Sequence, residues 1–121
     1  MFMIKPLKEA LEESYTKIKE QEIAQLYASC YKTAWETTLV LEENGKSYVS
    51  TGDIHAMWLR DSAMQLLPYM NMADVDVVAR ALRGVVLQQA YFIQIDPYAN
   101  AFNRKPDGSC ANEPMGLGAK I

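Results

Sequence analysis

Apolar residues recur at helical spacing over the first third of the chain. Leu7, Leu11, Tyr15 and Ile18 fall three and four residues apart, and Ile23, Leu26, Tyr27, Cys30, Tyr31, Ala34 and Trp35 form a second series. Both patterns predict amphipathic helices. The step from Ile18 to Ile23 skips the expected phase, so Lys19-Glu20-Gln21-Glu22 is read as a kink or short break carrying solvated charges. The periodicity then changes: Thr37 to Leu41 and Ser47 to Thr51 are rich in β-branched and aromatic residues, and Asn44-Gly45 between them predicts a small β-hairpin. A third helix is expected from about Trp58 to Tyr69, packing Leu59, Ser62, Ala63, Leu66 and Leu67, with Pro68 closing its end. A fourth follows Asp74 as N-cap and runs along Val75, Val78, Leu82, Val85, Val86, Gln89 and Phe92 to Asp96-Pro97. Residues 104–114 read as loop, and 115–121 predict no element.

Composition bounds the chain to one compact domain: 121 residues, 50% hydrophobic and 22% charged. Twelve Lys plus Arg against fifteen Asp plus Glu leave a net charge of −3. No stretch of sequence concentrates positive charge enough to hold a phosphate backbone, which argues against nucleic acid as a partner. Neither an apolar leader at the start nor a run of the roughly 20 apolar residues needed to span a bilayer is present. The expected location is therefore cytoplasmic, without membrane contact. Cys30 and Cys110 are too few for a disulfide scaffold or a zinc cluster, and both are read as free thiols. His55 is the single histidine. It suits a turn or core role better than acid–base work. Chemistry in this chain is expected to run on carboxylates, with neither metal nor cofactor.

The stretch Thr51-Gly52-Asp53-Ile54-His55-Ala56-Met57-Trp58-Leu59-Arg60-Asp61-Ser62 places a turn, two carboxylates, an indole and a guanidinium between a strand and a helix. A terminal sugar presents vicinal hydroxyls and an apolar C–H face. Its binding site needs a carboxylate acceptor, a forked donor and an aromatic surface. Asp61, Arg60 and Trp58 are those three types. The same residues also fit a plainer arrangement, in which Asp53 or Asp61 caps the helix, Arg60 pairs with a carboxylate and Trp58 is core. Ser62 lacks the Gly-x-Ser-x-Gly setting of an activated nucleophile. A second candidate, Asp96-Pro97-Tyr98-Ala99-Asn100-Ala101-Phe102-Asn103, follows a helix end; it reads equally as a stop with turn-stabilising amides or as a loop that binds hydroxyls.

Those two stretches, in that order, resemble the signature segments of glycoside hydrolase family 125, the metal-independent exo-α-1,6-mannosidases. Weaker similarity extends back through Tyr31-Lys32-Thr33-Ala34-Trp35-Glu36-Thr37-Thr38, so the likeness covers about Cys30 to Asn103. Position 55 departs from it, since His55 stands where the family has Pro. The resemblance implies an all-α fold, the N-terminal part of an (α/α)6 toroid with a small β-hairpin. Residues 1–121 would be an N-terminal fragment of a single catalytic domain. It implies hydrolysis of non-reducing terminal α-1,6-linked mannose with inversion, on mannose-terminated glycans. Arg60 and Asp61 would hold mannose hydroxyls and Trp58 would shape the pocket, with Asp53, Asn100 and Asn103 as further binding candidates.

An inverting glycosidase needs a carboxylic acid and a carboxylate base roughly 6.5–9.5 Å apart. In the family both lie further along the chain than Ile121, so no catalytic residue is expected here and the chain alone is expected to hydrolyse nothing. Four or five helices cannot close a twelve-helix toroid, and apolar faces left open would favour self-association. Two other readings stand beside this one: an (α/α)6 glycosidase of different specificity, or a non-catalytic helical interaction module.

Overall fold

A computed structural model describes residues 5–50 and 55–106 of the chain. Four α-helices dominate the described residues: α1 (Lys5–Tyr15), α2 (Gln21–Thr38), α3 (Leu59–Leu66) and α4 (Asp76–Ile95). Two antiparallel two-stranded sheets accompany them, β1 (Leu39–Leu41) with β2 (Ser47–Val49) and β3 (Met57–Trp58) with β4 (Ala101–Phe102). Cys110, Asp53 and the stretch 51–54 lie outside the described residues.

The first two helices form as the periodicity predicts, with shifted ends. Ile18 falls outside α1, whose last turn closes when the Ser14 hydroxyl donates to the Ala10 carbonyl at 2.9 Å and Thr16 Oγ1 donates to the Glu13 carbonyl at 2.9 Å. The break therefore comes at residues 16–20 rather than at 19–22. At the other boundary, Thr37 and Thr38 extend α2 instead of starting the strand. Their hydroxyls donate to the Thr33 and Ala34 carbonyls at 2.6 Å, so the side chains bond back into the preceding turn and the helix keeps both residues.

The hairpin pairs Leu39 with Val49, Val40 with Tyr48 and Leu41 with Ser47. Its turn uses Gly45 at φ +81°, a left-handed conformation open to glycine at little cost, and the Asn44 side chain accepts from the Lys46 amide at 3.0 Å. The third helix is shorter than the sequence implies. Proline at position 68 has no N–H and its ring would crowd a carbonyl one turn back, so α-geometry stops at Leu66 and a 3-10 segment continues from Leu67 to Met72.

The core is built by α4 against the hairpin, the 3-10 segment and α3, and Leu7 and Leu11 of α1 are buried in the same cluster. Val77, Val78, Ala81, Gly84, Val85, Gln88 and Phe92 form the buried face of α4. Phe92 stacks on Phe102 with centroids 4.4 Å apart, and Tyr48 meets Phe92 edge-on at 6.4 Å. Pairs of this kind add about 0.5–1.5 kcal/mol beyond the apolar area they bury. Tyr27, Tyr31, Tyr69 and Trp35 join α2 to the 3-10 segment, reinforced by the Tyr31 hydroxyl donating to the Pro68 carbonyl at 2.9 Å and the Tyr69 hydroxyl donating to the Tyr31 carbonyl. Burial pushes the Tyr31 phenol up to about 12.

Two expectations for α4 need correction. Asp74 does not cap it: the N-cap is Val75, with no side-chain hydrogen bond. Val86, placed by periodicity on the packing face, is 64% exposed. With Ala79, Ala90 and Ile93 it forms a second apolar stripe on the opposite side of the helix. Ile23 and Leu26 of α2 are exposed as well. Among the described residues no helix is long and apolar enough to cross a membrane.

Candidate functional site

The two stretches singled out from sequence meet in the fold. Met57 pairs with Phe102 and Trp58 with Ala101, a strand pairing that periodicity did not predict because each strand is only two residues long. Asn100 and Asn103 flank β4 in sequence, one on each side of the strand that pairs with Met57–Trp58. From the hairpin, the Tyr48 hydroxyl donates to the Phe102 carbonyl at 2.8 Å, while the Val49 amide points at Met57 Sδ, 3.4 Å away. Burial pushes the Tyr48 phenol up to about 12, against the opposing influence of the Arg104 charge. It thus remains a neutral donor throughout the physiological range.

Immediately after this clasp, α3 begins. Leu59, Arg60 and Asp61 occupy its first turn, and the N-cap Trp58 makes no side-chain cap. Asp61 is therefore not a cap, although its charge lies near the positive end of the helix dipole. The Arg60 Nε–H donates to Asp61 Oδ1 at 3.0 Å, with side chains 84% and 38% exposed. An ion pair so exposed stabilises a fold by about 0–1 kcal/mol, so it is not what holds the turn. Asp61 Oδ2 keeps its acceptor capacity, having no protein partner among the described residues. Trp58 is half-buried beside Ala56 and Ala101 and is not a core residue.

What holds the turn is an amide from α4. Gln89 Nε2 donates to the Leu59 carbonyl and to Ser62 Oγ, each at 2.9 Å, and the Ser62 hydroxyl donates to the same carbonyl at 2.9 Å. Ser62 is completely buried. It has a structural role, as its sequence context implies. The importance of Gln89 was not read from sequence, yet the signal was present: a lone amide within an otherwise apolar stripe has to find partners when it packs.

Asn103 is 7% exposed and bonded, while Asn100 is exposed. Asp96 serves the turn itself, its Oδ1 accepting from the Tyr98 amide at 2.9 Å. His55 is exposed, so it is not a core histidine. Cys30 is a free, exposed thiol. No group of three or more His, Cys, Asp or Glu residues suited to a metal ion occurs among the described residues. The arrangement thus offers one carboxylate acceptor with an oxygen to spare, one forked donor and one half-buried aromatic side chain. These are means of binding hydroxyls, and a two-carboxylate hydrolytic apparatus is not assembled from them.

The profile of a family described as metal-independent alpha-mannosidase (GH125) matches residues 20–118. The meiotically up-regulated gene 157 protein of Schizosaccharomyces pombe is 34% identical over 106 residues, 84% of this chain. A metal-independent alpha mannosidase of Streptococcus pneumoniae, solved in a non-productive substrate complex with alpha-1,6-mannobiose, superposes over 90% of the chain with a TM-score of 0.81 and 33% identity. The chain spans 21% of the length of the yeast relative and 26% of the solved structure.

Proposed function

Because this chain belongs to GH125, the metal-independent α-mannosidases, we propose that its Trp58–Asp61 turn is the mannose-holding part of a glycosidase that removes non-reducing terminal α-1,6-linked mannose with inversion. The observation that carries this reading is the β3–β4 clasp, which brings both signature stretches together beside an exposed Arg60–Asp61 pair. Asp61 Oδ2 would accept from one mannose hydroxyl, the outward N–H groups of Arg60 would donate to another, and Trp58 would lie against the sugar's C–H face. Asn100 is exposed next to this turn and would extend the polar rim. Asn103 is committed to the fold and would act from behind it. Asp53 keeps its place as a candidate on the resemblance alone.

The acid and base of an inverting reaction belong, in this reading, to a longer (α/α)6 catalytic domain of which the chain forms the N-terminal part. A mannose-terminated glycan would be the substrate of that whole domain. The free thiol of Cys30 suits a reducing compartment, which supports a cytoplasmic setting. The open apolar faces of α2 and α4 would bring copies of the isolated chain together.

Nuclear magnetic resonance of the ¹⁵N-labelled chain tests the sugar site. Methyl α-D-mannoside should shift the Arg60 Nε–H and the amides of residues 58–62 saturably, methyl α-D-glucoside should do so more weakly, and Arg60→Ala should abolish the response. Absence of any saturable shift at this turn overturns the reading. The same preparation should release no mannose from α-1,6-mannobiose, and sustained release would show that the cleaving groups lie within these 121 residues.

A further inference from the structure

Away from the sugar-facing turn, positive charge gathers around the β1–β2 hairpin. Between the hairpin turn and α4 lies an open cleft of about 350 Å³ whose walls include Lys46, Ser47, Arg80 and Arg83 together with the Glu42 carboxylate. On the other side of Lys46 a second cleft, about 260 Å³, is walled by Gln88, Tyr91, Arg104 and Lys105. Five of the chain's twelve Lys and Arg residues thus surround one turn, in a chain whose net charge is −3.

Two carboxylates answer this charge. Glu42 takes a forked pair of bonds from Arg104, Nε to Oε1 at 2.7 Å and Nη2 to Oε2 at 3.2 Å, and these hold its carboxyl below the usual range. Asp76 accepts from Arg80 Nε at 3.0 Å. The Lys46 ammonium sits 3.8 Å from the centre of the Tyr91 ring, an attraction that leaves its charge uncompensated. Arg83 has no ion pair with a carboxylate among the described residues, and Lys105 acts on Glu42 through its charge alone. Ser47 is 1% exposed and its hydroxyl has no hydrogen-bond partner among the described residues. A buried hydroxyl left in that state costs about 1–3 kcal/mol.

We propose that the cleft between the hairpin turn and α4 binds an oxyanion of the phosphate class, anchored by Arg83 and Lys46. Arg83 can present a planar fork of donors to two oxygens of one anion, and Lys46, whose ammonium rests over Tyr91 in the neighbouring cleft, borders this one too and adds a point charge on a flexible stem. Arg80, fixed by Asp76 through one nitrogen, keeps other N–H groups for the same ligand. The Ser47 hydroxyl faces Gly84 of α4 and is closed off from the cleft, so the site rests on the charged side chains that border it. A cation is disfavoured there, because both nearby carboxylates are already engaged. The site stands apart from the mannose-binding turn and does not depend on it.

The shared chemistry fits either inorganic phosphate or a phosphate ester carried on a sugar. Titrating the ¹⁵N-labelled chain with inorganic phosphate, with a hexose 6-phosphate and with sodium chloride at matched ionic strength separates these from general screening. Saturable shifts of Arg83 Nε–H and of the Lys46 and Ser47 amides are expected with millimolar affinity, weaker at high salt. Arg83→Ala and Lys46→Ala should each reduce affinity about tenfold, the worth of one charge-assisted hydrogen bond. Tighter binding of the sugar phosphate would identify an ester as the ligand, and equal binding would identify the free anion. Shifts that do not saturate, that chloride reproduces, or that keep the parent's affinity in Arg83→Ala overturn the proposal. Both variants alter exposed or half-exposed side chains, and unchanged amide spectra elsewhere would confirm that they fold.

Discussion

The two sides of α4 are almost equally apolar and have opposite fates. On one, Val78, Ala81, Gly84, Val85 and Phe92 are buried against the hairpin and β4; on the other, Ala79, Val86, Ala90 and Ile93 form a stripe exposed to solvent. A helix apolar on both sides belongs between two layers, and only one layer is present among the described residues. Hydrophobicity therefore decides which faces can be covered, whereas close packing shows which one is. That distinction can be broken from either side.

The covered side should fail first. A Cβ at Gly84 would lie 2.1 Å from Ser47 Oγ, 2.8 Å from the Ser47 amide nitrogen and 3.0 Å from the Gly45 carbonyl oxygen. The hydroxyl could rotate aside, but the two backbone atoms could yield only by moving the hairpin. Gly84→Ala gains about 1 kcal/mol of helix propensity and loses more to overpacking, so a net destabilisation of about 2 kcal/mol is expected in denaturant unfolding. A variant as stable as the parent would show that α4 and the hairpin are not in such close contact.

At the border between the two sides, Gln89 exchanges one kind of constraint for another. Gln89→Leu keeps the volume and removes both donors to the first turn of α3, for an expected loss of about 1 kcal/mol. Its more informative effect is on the site: affinity for methyl α-D-mannoside should fall while the hairpin and core resonances stay in place. Loss of stability without loss of affinity would reduce Gln89 to a packing residue.

Helix positions were legible because they depend on local spacing, which one sequence carries in full. The hairpin was legible for the same reason, through Asn44-Gly45 and its flanking β-branched residues. The clasp of Met57–Trp58 with Ala101–Phe102 was not, since two residues are too few to show alternation and the partners lie more than forty positions apart. Residue types at the candidate site suggested hydroxyl binding, but they could not tell the cap arrangement from the ligand one. The structure answers in part, with Asp61 inside the first turn rather than capping it, and Arg60 bonded to its neighbour yet largely exposed. Val86 was misassigned because two stripes on one helix overlap in any count of i, i+3 and i+4 matches. No single-stripe reading can separate them.

The open side of α4 should tolerate what the covered side cannot. Val86 and Ile93 are 64% and 48% exposed, so placing lysines there removes little buried area. Lysine also has the better helix propensity, by a few tenths of a kcal/mol, because its unbranched side chain loses less rotamer freedom than a β-branched one. Val86→Lys with Ile93→Lys should therefore leave the free energy of unfolding within about 0.5 kcal/mol of the parent at concentrations where both are monomeric. Sedimentation should differ at higher concentration, with the parent associating and the double variant remaining monomeric, because two charges now interrupt the only continuous apolar stripe on that side of the helix. Equal sedimentation would mean that copies meet elsewhere, with Ile23 and Leu26 of α2 the next surface to alter. A double variant that unfolds more easily by over 1 kcal/mol would mean instead that the stripe is already covered in the monomer, and the contrast between the two sides of α4 would be lost.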